Sequence, residues 1–392
     1  MQRLKIALLY IDYFLCATIL ISQTFGYNGI VSIAFYATFV ASFGLWLCTL
    51  TESVDLTDII AMATILLAII NVFINGISEH CDFTFEYVKK LIIFCCTVSF
   101  FSAARKISVS KTFFEFVRVL LLLTGAVFIF MYLTRRHQMH MLGGNYSAYL
   151  TFRFTNPNLT ALFLCGMTMF LMISICRSKK LLIRDYIAMA VLAFEFVFIF
   201  QSKSRNAILP MALFVLGLFW CGILGKRIKL RKWMLVVVII LPLAMALIYL
   251  AVVNTYFIER VFGFISGEGK LLDARVVIWS KAIREFLSSP LIGAYYSAGN
   301  GEGFFQMHNT HIDVLTSYGA VVFVFLCVFL FMLLNKLAKE HVGRKNLSTI
   351  AFICMLLNGI GEAALFSGGL GIYLLAGIFL VKEEPVKPEA LQ

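Results

Sequence analysis

Apolar runs of about 20 residues follow one another along this chain, and no other feature constrains its fold as strongly. A helix needs about that many mainly apolar residues to cross a bilayer. Such runs lie near residues 7–25, 29–50, 57–77, 90–104, 112–134, 158–176, 183–201, 206–224, 232–254, 311–335, 347–365 and 368–382. Hydrophobic residues make up 61% of the chain and charged residues 14%. Soluble domains run near 45–50% and about 25%, so a soluble globule is excluded. The predicted fold is all-α: a single polytopic transmembrane domain over 1–392, with about 12 spans, of which the fourth and twelfth runs are short.

Lys and Arg are distributed unevenly between alternate loops. Twenty of the 33 fall on the side that holds both termini, among them Arg105, Lys106, Arg177, Arg184, Lys336 and Lys382. The positive-inside rule makes that side cytoplasmic and leaves two longer segments, 135–157 and 255–310, on the outside. The second is too short for an independent core, which predicts a helical cap lying on the membrane. A net charge of +12 reflects these basic loops, and no nucleic-acid partner is inferred. The basic start, followed by an apolar run without a small-residue cleavage site, is predicted to be the first span rather than a signal peptide. Nine of the ten cysteines lie inside apolar runs and read as small core residues.

The external polar residues that the bilayer does not explain form a short set: Arg153 with Asn156 and Asn158, Lys203 and Arg205, Asp273 and Arg275 ahead of Trp279, and His308, Asn309, His311 and Asp313. Each lies near the outer end of a span or in the large loop. Arginine offers a permanent charge and a planar fork matched to phosphate oxygens. Histidine is suited to accept a proton from a hydroxyl near neutral pH. The combination suits transfer from a phosphorylated, lipid-borne donor, with His308 at a helix start by the water interface. Each arginine alone also reads as an interfacial anchor, and Arg135, Arg136, Lys89 and Lys90 are read only that way. Asp12 and Arg118 lie within spans and read as structural, whereas Glu195 and Glu362 lie nearer the outer ends, where they could support a site.

The stretch from His308-Asn309 to Gly319, entering an apolar span, resembles the signature of the O-antigen ligase and polysaccharide polymerase superfamily. In that signature a Gly follows eleven residues after the His; the usual second Gly, three further on, is Val322 here. Arg275 with Trp279, then Pro290 and Gly293, are similar to the family's Arg-x3-Trp helix and Pro-x2-Gly turn. Ser202-Lys203-Ser204-Arg205-Asn206 resembles its Ser-Arg element, and Arg153 to Asn158 its Pro-Asn segment. The resemblance implies a glycosyltransferase of the bacterial cytoplasmic membrane, facing the periplasm or exterior and working on an undecaprenyl-diphosphate-linked glycan. It also implies no metal or other cofactor. The acceptor would be a second lipid-linked glycan for a polymerase, or lipid A core or protein for a ligase, and a chain-length regulator is a candidate partner. On this reading His308 is the base, Arg205, Arg275 and Arg153 bind the diphosphate, and Asn309, His311, Asp313, Lys203, Trp279 and Asn158 support them. A flippase for lipid-linked glycans is the alternative of another class.

Overall fold

A computed structural model describes residues 1–77, 85–136, 139–141, 148–154, 157–178, 181–225, 228–252, 269–294, 307–340, 346–363, 365–366 and 371–384, with backbone alone at 85–86, 139–141, 148–149, 252, 269–276 and 340. The helices are α1 (Gln2–Phe25), α2 (Asn28–Leu50), α3 (Leu56–Ile77), α4 (Phe85–Ala104), α5 (Lys111–Leu133), α6 (Pro157–Arg177), α7 (Ile183–Gln201), α8 (Arg205–Gly217, running on through a π turn at Leu218–Ile223), α9 (Lys232–Val252), α10 (Gly269–Ser288), α11 (Thr310–Glu340), α12 (Asn346–Leu357) and α13 (Ile372–Gly377). The described residues also include two short sheets. Strand β1 (Ser108–Val109) pairs in parallel with β4 (Lys382–Glu383), and β2 (Met139–Met141) pairs antiparallel with β3 (Ala148–Leu150).

Among the described residues, nine helices are long and apolar enough to cross a membrane. The chain is an all-α, multi-pass membrane protein. The expected count of about 12 meets three exceptions. Helix α7 has the length but carries Arg184, Asp185 and Glu195. The runs at 347–365 and 368–382 form the 12-residue α12 with a 3-10 turn at Asn358–Ile360, and the six-residue α13. Both are enclosed by protein almost throughout. Enclosure is what allows such short pieces, because a broken helix facing lipid would leave backbone groups unpaired.

The basic loops meet at one end of the bundle. Arg105 grips both carboxylate oxygens of Asp55 at 2.7 Å and reaches Asp58 at 2.6 Å, while Lys106 also bonds Asp58 and Lys336 lies 3.6 Å from Asp55. Arg184 pairs with Glu115 at 3.1 Å and Arg177 with Glu383 at 3.7 Å. Arg118, although inside a span, is held by Asp185 at 2.6 Å and serves as a structural tie. Burial pushes the Asp55 carboxyl up, but the hydrogen bonds and charge of Arg105, the Asp58 amide and Lys336 outweigh it and hold it well below the usual range. A lowered value means that this contribution to stability is complete above the unfolded pKa of about 3.9 and is lost as pH falls through the folded value. Thermal melting in detergent should therefore drop as pH is taken below about 4, and Arg105→Ala should flatten that dependence; an identical pH response in both proteins would contradict the assignment.

Helix α11 is not a single rod. Gly319 has φ 84° and ψ 171°, a region that is nearly exclusive to glycine, and it divides the helix into 310–318 and 320–340. The break leaves the last carbonyls of the first piece without helical partners, and each of three finds another donor. Thr316 accepts from the Ala294 amide at 3.0 Å, Ser317 from the Tyr87 hydroxyl at 3.2 Å and Tyr318 from the Asn71 amide at 2.6 Å. The Ala320 amide donates to Pro290 at 2.9 Å. The Pro290–Gly293 turn and Gly319, far apart in sequence, thus interlock backbone to backbone, with no room for a Cβ on either glycine.

Candidate functional site

The residues around His308 are fixed from both directions along the chain. On the preceding side, Trp279 of α10 donates its indole N–H to the Met307 carbonyl at 2.6 Å. Its ring packs with Ile278, Ala246, Ile312 and Ala363 and meets Tyr249 edge-on at 5.8 Å. On the following side, Asn309 caps the first piece of α11: its carbonyl oxygen accepts from the His311 and Ile312 amides, both at 3.0 Å, the usual role of an Asn at this position. Its amide group donates to Pro242 at 2.8 Å and Ile360 at 3.1 Å. All four of its hydrogen-bonding positions are filled, so Asn309 ties α11, α9 and the α12 end together.

His308 sits between these anchors with φ 48°, a left-handed conformation uncommon outside glycine. Its neighbour Asn309 lies level with Pro242, ten residues from the Val252 end of α9, or about 15 Å along the helix. The His308 side chain is 24% exposed.

The imidazole Nδ1 lies 3.4 Å from Glu362 Oε2, and the Glu362 side chain is only 6% exposed. Three further bonds hold that segment: the Ala363 amide donates to Glu362 Oε1 at 3.3 Å, the Thr310 hydroxyl to the Glu362 carbonyl at 2.9 Å, and the Asn206 amide to the Gly361 carbonyl at 2.8 Å. The last contact brings the second residue of α8 against the His308 group. Arg205, the first residue of α8, is exposed beside it, and Lys203 stands exposed in the preceding turn with φ 51°. Arg275 lies one helical turn before Trp279 on α10, where its side chain is outside the described residues. Asn156, also quoted in the motif, lies outside them entirely.

Other expected residues are placed differently. Arg153, at φ 63°, donates to the Phe25 carbonyl at 2.7 Å, and Gln23 bonds its carbonyl at 2.9 Å. Its guanidinium therefore closes the C-terminus of α1, where a cation also meets the helix dipole. Asn158 lies in the first turn of α6. His311 is buried, its ring beside the Ile239 backbone and edge-on to Phe323 at 5.4 Å, in the stretch of α9 that Pro242 loosens. Asp313 is buried and pairs with Lys90 of α4 at 3.0 Å, so Lys90 is more than the interfacial anchor expected of it. Glu195 bonds Thr168 at 2.9 Å among α5, α6 and α7, away from this group. Sequence reasoning gave no role to Thr310 or Asn206; a hydroxyl following His-Asn, and an amide following Arg205, were the only signals for them.

No protein-family model matches the chain, and no curated protein matches it. The geometry itself offers a half-buried histidine backed by a carboxylate, with a cationic helix start alongside.

Proposed function

We propose that this chain is a membrane glycosyltransferase that polymerises undecaprenyl-diphosphate-linked repeat units into surface polysaccharide on the outer face of the cytoplasmic membrane. The observation that carries this reading is the His308–Glu362 pair, next to which stretches from three of the four sequence motifs converge, one of them carrying Arg205. The acceptor hydroxyl gives its proton to His308 as its oxygen bonds the anomeric carbon. The bond from that carbon to the diphosphate oxygen breaks, and undecaprenyl diphosphate leaves with the electron pair, its charge met by Arg205 and Arg275. Attack opposite the leaving group implies inversion. Transfer to lipid A core or protein, as in a ligase, would use the same site with another acceptor.

A flippase is the second reading, and the breaks at Gly319 and 358–360 favour it, since transporters bind substrate where helices are interrupted. Liposomes carrying the purified protein and a fluorescent lipid-linked repeat unit separate the two. Chain growth without movement between leaflets is expected, and movement without growth would establish the flippase instead. If Arg205 holds the diphosphate, Arg205→Lys should not restore the activity lost in Arg205→Ala, because a point charge lacks the two-pronged geometry. Each variant should lose about 10- to 100-fold in rate, the worth of one charge-assisted hydrogen bond; full activity in the Lys variant would remove that role.

A further inference from the structure

We infer that Glu362 is the positioning residue for His308: it accepts the Nδ1–H of the imidazole and so presents the Nε2 lone pair to the acceptor hydroxyl. This rests on the transferase reading for its purpose, but on geometry for its existence. The two groups lie 3.4 Å apart, and Glu362 is nearly enclosed. The backbone on either side of His308 is held at Met307 and Asn309, that around Glu362 by the Thr310 hydroxyl and the Asn206 amide, and the Glu362 carboxylate by the Ala363 amide.

Which imidazole nitrogen carries the proton is set by the bond that the other makes. A carboxylate can only accept, so facing Nδ1 it selects the Nδ1–H form. In the transfer step Nε2 takes the acceptor's proton, the ring becomes imidazolium, and the adjacent carboxylate offsets that charge until the proton leaves to water. The local bonding also dictates what a glutamine would do. The Ala363 amide donates to Oε1, so Glu362→Gln should keep its oxygen there and turn its NH2 towards His308. That group donates to Nδ1 and forces the Nε2–H form, which cannot accept the proton.

The test is long-range 1H–15N correlation spectroscopy on the full-length protein with 15N-labelled histidine in nanodiscs, with His308 assigned from its loss in His308→Gln. The expected result is Nδ1–H in the wild type and Nε2–H in Glu362→Gln. Alongside this, kcat for transfer should fall about 10²-fold or more in Glu362→Gln while KM for the donor stays within about twofold. Glu362→Asp, which keeps the carboxylate, should retain Nδ1–H and recover part of kcat. An Nε2–H wild type overturns the inference without any variant. So does an unchanged tautomer in Glu362→Gln, or equal kcat in the Gln and Asp variants. The expected tautomer change from wild type to Glu362→Gln, beside a wild type that transfers no glycan, would instead overturn the transferase reading, and with it the purpose assigned to Glu362.

Discussion

His308→Ala is expected to slow glycan transfer by about 10²–10⁴-fold, the range for loss of a general base, or about 3–5 kcal/mol of barrier. The protein should remain in the membrane with an unchanged melting temperature, because His308 fills no packed position and its neighbours are anchored without it. His311→Ala gives the contrasting result. Its ring is buried against α9 and Phe323, so its loss should lower melting while purified, folded protein keeps most of its rate. Initial rates and melting curves on the two purified variants decide between them; a fast His308→Ala beside a slow, stable His311→Ala would move the base to His311.

Gly319→Ala is expected to damage both fold and activity. At φ 84° and ψ 171° an alanine carries a strain of about 1–3 kcal/mol, and the added carbon would also press on the Leu291 carbonyl and come within 2.6 Å of the Gly293 amide. Both are backbone atoms that cannot step aside singly. Either the interlock opens or the first piece of α11 shifts, and His308 is carried on that piece. Melting in detergent should fall by several degrees, and transfer should be lost with it. Val322→Gly, which restores the second glycine of the resembled signature, should only weaken packing, since Val322 is a buried side chain in the regular second piece of α11. A Gly319→Ala protein with wild-type melting and rate would contradict the interlock.

The bundle was legible because its signal is simple: apolar run length and the alternation of basic loops depend on the bilayer alone, and the loops from Arg105, Arg177, Arg184 and Lys336 do meet at one end. What composition could not reveal was where helices break inside the membrane. The run at 311–335 contains no proline and reads as one continuous span, yet Gly319 divides it, because the carbonyls freed there are met by Asn71, Tyr87 and Ala294 from other parts of the chain. The run at 347–365 breaks similarly at Asn358–Ile360, where protein rather than lipid surrounds it.

The site was partly legible for a related reason. Asn309 was recognisable by its place at a helix start, and its cap geometry follows from that. Arg153 had the right residue type in the right region, but a left-handed backbone and the nearby end of α1 direct it to a capping role. Lys90 looked like any lysine near a membrane surface; only the buried Asp313, a contact across 223 residues, distinguishes it. Glu362 stood out as a carboxylate within an apolar run, but its partner became visible only when the break at 358–360 brought it under His308.

Catalysed exchange of one bond for another at His308 is tested most directly by stoichiometry. Purified protein is incubated with its undecaprenyl-diphosphate-linked repeat unit, and released undecaprenyl diphosphate is counted against new glycosidic linkages read from the product ladder. One lipid diphosphate released for each linkage formed, with both absent in His308→Ala, is the expected result. A ladder that grows equally well in His308→Ala, or no release from wild-type protein that is folded and supplied with its own repeat unit, would contradict glycosyl transfer at this site.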